Sequence, residues 1–469
     1  MNTRETLRLL RAYESRNVTL IEADGSWPVV WERASGVHVW DANGKKYLDL
    51  TAAFGVAATG HANPRVVKAG QEQMATLLHA MGDVHPHALK AQLARELSRI
   101  TFERWSTGGE RRRRLASSSP ITHHRSPKGK TIFCNSGFEA VEAALKTALL
   151  ATGKAGVIAF EGAYHGLGYG ALNATHRAHF RSPFRSQLRE FGCFVPFPKA
   201  GQASRLTRLQ AAAAERDRRD ACPTLELIES RIQRLFRRER IGVVLVEPVQ
   251  VRGGINIPPP GFLPMLRRLC DEHDALLILD EIYTGFGRTG RWFACEHSGT
   301  VPDVICLGKA LTGGFPLSAC VGRVELMDAA WPPSSGEAIH TSTFLGHPVG
   351  CAMALAQIKE IKAGKLVQRS AELGKLLLNW LSTLAARSSS PAVVARGLGL
   401  LAGLEVCLLD GAPATEAALK LVKGMLERGF ILLPEGEHSN VIGFTPPLSI
   451  SPNQLKAAVN GLGELLLAR

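Results

Sequence analysis

The chain has 469 residues, 45% of them hydrophobic and 21% charged, with a formal net charge of +14. That length supports a large core and more than one domain, and the composition excludes collagenous, coiled-coil and disordered classes. No run approaches the roughly 18 apolar residues of a membrane span, and the polar start MNTRETLRLLRAYESRN lacks a signal core, so a cytoplasmic protein is expected.

The nine cysteines are scattered and none forms C-x-x-C, which argues against a disulfide framework or a cysteine zinc site and for buried free thiols. Residues 100–130 carry a net +6 and residues 205–240 a net +4. Both stretches read as surface insertions. Without aromatic interleaving or zinc-finger spacing, the charge reads as solvated surface and not as a nucleic-acid site.

In chain order, residues 1–70 read as a helix followed by strands and turns, with VHVWDANGKKYLDL forming a hairpin about its D-A-N-G turn. Residues 87–101 fit a helix with Leu89, Leu93, Leu97 and Ile100 on one face. The stretch 104–128 reads as an exposed, mobile loop, because it combines Gly, Ser and Pro with four consecutive arginines. After Lys130, short apolar runs (TIFC at 131–134, VIAF at 157–160, VVLV at 243–246, LLIL at 276–279, VICL at 304–307, SACVG at 318–322) alternate with helical segments at 137–151, 223–239 and 262–273. This alternation predicts an α/β fold with a mainly parallel, doubly wound sheet. Beyond Gly346, helices at 348–362 and 366–386, a strand at 399–406, a helix at 415–428 and a final strand and helix suggest a smaller α/β unit. The expected organisation is an N-terminal segment, 1–70, joining a small domain; a large domain, 71–345; and a C-terminal small domain, 346–469. The large domain carries insertions at 104–128 and about 200–240.

Three segments carry chemistry. In LLILDEI the apolar strand ends in Asp280, at the strand end that borders the ligand crevice of an open α/β sheet; alone, such an Asp serves equally as a turn cap. In VICLGKALTGGFP, Lys309 stands between an apolar strand and a Gly-rich turn, a setting in which burial makes an amine nucleophilic. In FCNSGFEAVEAALKTAL a strand, a small-residue turn and a helix follow one another. The amides at such a helix start suit a phosphate, or take an ordinary Asn/Ser cap. A phosphate cradle, a carboxylate for a pyridine nitrogen and a lysine for an aldehyde fit one cofactor.

DEIYTGFGRTGRWF followed by PDVICLGKALTGGFPLSA resembles the class III pyridoxal-phosphate-dependent aminotransferases of fold type I, the group of 4-aminobutyrate, ornithine and acetylornithine aminotransferases. The resemblance runs from about Gly36 to the C-terminus, outside the two insertions. It implies a Schiff base of pyridoxal 5'-phosphate (PLP) on Lys309, with Asp280 on the pyridinium nitrogen. It puts Ser136, Gly137 and Phe138 at the phosphate turn. Tyr164 would stack on one ring face with His165 beside it, and Ile282 would cover the other. Thr343 would reach the phosphate of the neighbouring subunit of a homodimer. Arg396 would grip a substrate carboxylate, and Glu247 would lie near the site. The implied activity is ping-pong amino transfer from a primary amine, an ω-amino acid by this resemblance, to a 2-oxo acid. An alternative in the same fold is an aminomutase, epimerase or decarboxylating transaminase. An alternative of another class is a non-catalytic protein binding nucleic acid or a partner through its basic insertions. Three residues depart from the family pattern: Phe138 stands where a small or hydroxyl residue is usual, Tyr283 where Gln is common, and Arg252 where the 4-aminobutyrate and ornithine branches place Glu. With two cations facing the pocket, an acidic amine is the expected preference.

Overall fold

A computed structural model describes residues 1–106, 127–199, 224–388 and 391–468. The helix Thr3–Tyr13 leads to strands β1 (Trp31–Ser35), β2 (His38–Asp41) and β3 (Lys46–Asp49). The β2–β3 hairpin is antiparallel, and its turn is the predicted D-A-N-G. The Asp41 carboxylate accepts the amides of Asn43 and Lys45 at 2.9 Å each, and Gly44 supplies the left-handed conformation (φ 84°) that side chains avoid.

The central sheet contains β4 (Gly129–Cys134), β5 (Gly156–Phe160), β6 (Gly192–Val195), β7 (Ile241–Val246), β8 (Leu276–Asp280), β9 (Val304–Leu307) and β10 (Ser318–Arg323), in the spatial order β4-β10-β9-β8-β7-β5-β6. Only β10 runs against its neighbours; every other pairing is parallel. Strands β7, β8 and β9 are buried along their whole length, which is why they read as unbroken apolar runs and not as alternating ones. Because β10 is antiparallel to both β4 and β9, β4 points the same way as β9. The carboxyl ends of β4, β5, β7, β8 and β9 therefore open on one side.

The C-terminal part supplies β11 (Ala392–Gly397), β12 (Ala402–Cys407), β13 (Phe430–Ile431), β14 (Leu433–Glu435) and β15 (Val441–Phe444). A second sheet has the order β11-β12-β15-β14, and a third, β1-β2-β3-β13, joins the two ends of the chain through the parallel pairing of β13 with β3.

Three expectations need correction. Residues 104–106 are not loop: they finish the helix Phe102–Ser106, and Trp105 is buried there, its indole N–H donating to Glu296 at 3.0 Å. The basic stretch near 240 is not all surface either. The helix Leu225–Arg238 buries Ile228 and Ile232 in the core and exposes its arginine face. The rest of both insertions, 107–126 and 200–223, lies outside the described residues. The strand expected at 399–406 begins later, at Ala402.

Candidate active site

The helix Gly137–Thr152 starts directly after β4. Glu139 reaches back to accept the amides of Asn135 and Ser136, at 2.6 and 2.9 Å, and so fixes the entry turn. The Ser136 hydroxyl faces the Glu139 amide in capping-box fashion without completing a hydrogen bond of ordinary geometry, and is buried. A run of alanines (140, 143, 144, 148) lets this helix lie close on the sheet. Its first turn and β10 are tied by the Ser318 hydroxyl, which donates to the Ser136 carbonyl at 2.6 Å. The outcome is a helix start with free amides facing the open side of the sheet.

Asp280 ends β8 in a buried position. Its Oδ2 lies 2.8 Å from His165 Nδ1 and its Oδ1 accepts the Ile282 amide at 3.1 Å. His165 is itself positioned by its amide, which donates to Thr175 Oγ1 at 2.9 Å, and its Nε2 is buried without a partner among the described residues. Glu247 follows β7 and accepts the amides of Tyr164 and Val251, at 2.9 and 3.3 Å. Burial pushes its carboxyl up to about 7, helped by the Asp280 charge and opposed by His165 and the two amides.

Lys309 follows β9 in the left-handed region (φ 45°), a strained conformation for a residue with a side chain, of the kind that collects at functional sites. Its ammonium lies 4.5 Å from the centre of the Tyr283 ring. Burial lowers its pKa, against the pull of Asp280, Glu247 and Glu435. A cavity of about 450 Å³ gathers Gly137, Phe138, Tyr164, His165, Glu247, Arg252, Asp280, Ile282, Tyr283 and Lys309. A larger cleft of about 850 Å³, bordered by Trp292, Glu296 and Lys375, collects none of these groups.

Two expected residues stand apart. Thr343 is exposed and does not line the cavity, although its neighbour Ser342 contacts Asn135 at 3.4 Å. Arg396 is almost fully engaged. Its Nη1 lies 2.6 Å from Glu405, its Nε donates to the carbonyls of Gly254 and Ile255 at 3.0 and 2.9 Å, and its Nη2 donates to the Gly254 carbonyl as well. It does not line the cavity.

The departures have physical accounts. Phe138 packs against the loop after His165, where a Cβ on Gly166 would stand 2.3 Å from the Phe138 Cβ and one on Gly168 would stand 2.5 Å from its ring. Two glycines thus make room for the larger side chain. Tyr283 turns its hydroxyl to Thr445, at 3.3 Å, and offers Lys309 its ring. Arg252 pairs with Glu435, 3.0 Å away. Sequence reasoning assigned nothing to Glu435, since no local signal links it to a residue 183 positions earlier.

These residues fit PLP. Free amides and a buried serine hydroxyl suit the phosphate, Asp280 suits the pyridine nitrogen, Lys309 suits the aldehyde, and Ile282 sits against the first turn of the phosphate helix, 3.1 Å from where a Cβ on Gly137 would be. The described residues hold no cluster of three or more metal-ligating side chains.

Residues 21–466 match the family described as "Aminotransferase class-III". The acetylornithine aminotransferase of Methanosarcina acetivorans is 34% identical, over 95% of this chain and 93% of that protein. The 5-aminovalerate aminotransferase of Pseudomonas aeruginosa is 36% identical, over 93% of each. Among solved structures, the ornithine aminotransferase of Toxoplasma gondii, with PLP in partial occupancy at its active site, superposes with a TM-score of 0.78 at 25% identity, covering 100% of this chain and 95% of that one. The chain therefore belongs to the class III aminotransferases. It is a PLP-dependent enzyme that moves an amino group from a primary amine to a 2-oxo acid.

Proposed function

We propose that this enzyme takes ω-amino acids as donors, with Lys309 as the covalent anchor of the cofactor. The observation that carries the anchor is a half-buried lysine, in the left-handed backbone region at the end of β9, whose pKa is lowered by desolvation and which shares one cavity with a buried, His-bound Asp280. Amine donors of this type are the named substrates of the relatives above.

PLP, when bound, supplies an aldehyde that condenses with amines and a ring that accepts the electrons left when a carbon-bound proton departs. Asp280 would keep a proton on the ring nitrogen, with His165 orienting Asp280. The amides at Gly137 and Phe138, with the Ser136 hydroxyl, would hold the phosphate. Tyr164 and Ile282 would cover the ring. Lys309 Nζ, once free, would take the proton from the substrate carbon bearing nitrogen and deliver it to the former aldehyde carbon of PLP, on the other side of that nitrogen. Glu247 fixes Tyr164 through its amide. Because one cavity serves both substrates in turn, the kinetics are ping-pong.

We also propose a homodimer. Met74, Leu77, Leu78, Met81, Val84, Ile339 and Phe344 are all exposed. The two stretches that carry them touch each other, at His79–Phe344 with ring centres 5.3 Å apart and at Thr341–Asp83, 2.7 Å. Thr343 stands in this apolar face, which suits an interface through which it reaches the partner's phosphate. The division into a large domain, 71–345, and a small one from 1–70 and 346–469 is supported by the β3–β13 pairing. A reducing compartment, the cytoplasm, suits the eight cysteines that are free among the described residues.

The anchor is tested by treating the holoenzyme with borohydride and mapping the modified peptide. Label on Lys309, and loss of the visible absorption band in Lys309→Ala, are expected; label on another lysine refutes the assignment.

A further inference from the structure

Among the described residues, the cavity has one cation with hydrogen-bonding capacity to spare beside the reactive lysine, Arg252 and not Arg396. The Arg396 guanidinium, 10% exposed, spends Nε, Nη1 and Nη2 on two backbone carbonyls and Glu405. To receive a substrate carboxylate it would have to give up contacts that tie β11 to the 254–255 turn. Arg252 is placed differently. It lines the cavity together with Lys309 and is 31% exposed. Its side chain makes one hydrogen bond among the described residues, from Nη1 to Glu435 at 3.0 Å. Its backbone is pinned, since the carbonyl accepts from Arg177 Nη2 and from the Gly436 amide.

From this geometry we propose that Arg252 is the residue that binds the carboxylate of the substrate, and that Glu435 is a positioning residue that holds one arm of its guanidinium. This rests on the aminotransferase reading and deepens it by naming the specificity-determining cation. With Nη1 on Glu435, Nε and Nη2 remain as a two-pronged donor edge of the kind that matches a carboxylate. Glu435 is only 5% exposed on its side chain, so it cannot swing into solvent and remains as a like charge near the bound anion. It orients the arginine at some expense in affinity. An amine whose far end is anionic is therefore selected over an alkylamine of the same length.

The test uses holoenzyme and three ω-aminoalkanoates of four to six carbons, each paired with the alkylamine of equal length. The discrimination is the ratio of kcat/KM values for the first half-reaction, followed by loss of the visible band. Arg252→Ala is expected to lower that ratio by about 10- to 100-fold, the worth of a charge-assisted two-pronged contact. Arg252→Lys is expected to recover part of it, because charge is kept and the fork is lost. Glu435→Gln is expected to keep or raise it. Glutarate, an unreactive diacid, is titrated calorimetrically in parallel and is expected to bind about 10- to 100-fold more weakly to Arg252→Ala. Discrimination and glutarate affinity that survive in Arg252→Ala but collapse in Arg396→Ala would overturn the proposal. If no amine bleaches the band of the unaltered enzyme, the amino-donor reading fails, while the glutarate titration still decides the role of Arg252.

Discussion

Glu247 is a buried carboxyl placed to change charge near neutral pH. Burial pushes its carboxyl, and that of the neighbouring strand-end residue Glu281, up to about 7. A carboxyl with a raised folded-state pKa holds its proton better in the native protein than in the unfolded chain. The stability it contributes is thus fully present below the unfolded value, 4.5, and is lost as pH rises through about 7. Glu247→Gln, which mimics the protonated form, is expected to flatten the fall in urea-unfolding stability between those pH values and to remove an inflection near 7 from the kcat/KM profile. An unchanged profile and slope would contradict this. At this scale the sequence speaks clearly where a polar residue interrupts an apolar strand end, as Asp280 and Lys309 do. It is silent where a side chain is defined by a distant partner. Arg396 looks like a free carboxylate binder until Gly254, Ile255 and Glu405 arrive around it, and nothing near Tyr283 announces that Thr445 takes its hydroxyl.

Strands β7, β8 and β9 were readable because a sheet covered on both faces needs apolar residues at every position. β6, a short edge strand that is mostly half-buried, has no such pattern. The helix Phe102–Ser106 was hidden by the basic, Gly-rich stretch after it, and its Trp105 is held by Glu296, 191 positions away. Behind the sheet, Asp303 joins three elements: it accepts Arg267 at 2.8 Å, the Leu277 amide at 2.7 Å, and Arg323. Burial alone would raise its pKa, but Arg267 and Arg323 outweigh that and hold it below the ordinary range. Its contribution is therefore present at neutral pH and is lost as pH falls through the depressed value. Asp303→Ala leaves the buried Arg323 and the half-buried Arg267 without their shared carboxylate and is expected to cost about 3–5 kcal/mol, measured as a shift in the urea midpoint at pH 7. A cost under about 1 kcal/mol would show that the arginines find other partners.

For the whole molecule the sharpest expectation concerns association. If the apolar face around Leu78, Ile339 and Phe344 is the subunit contact, sedimentation equilibrium will give twice the 50.6 kDa chain mass. Leu78→Glu combined with Ile339→Glu will then shift the protein toward monomer and weaken cofactor retention, because Thr343 loses its target. A fully active monomer would exclude that arrangement. The α/β class and the central sheet were legible from the order of elements alone. That the two chain ends join was expected, but the strand pairing that joins them was not, because nothing near Leu48 announces a partner at Phe430.

That shared sheet sets an order of events during synthesis. Leu48 pairs with Phe430 and Asp49 with Ile431, and the Lys45 amine donates to the Glu427 carbonyl at 2.9 Å, a separation of 382 residues. The β2–β3 hairpin therefore keeps a bare strand edge until a segment some 382 residues further along has emerged, a long exposure for a surface able to pair with any neighbouring chain. Nascent chains stalled before residue 430 should be the ones that most need a chaperone.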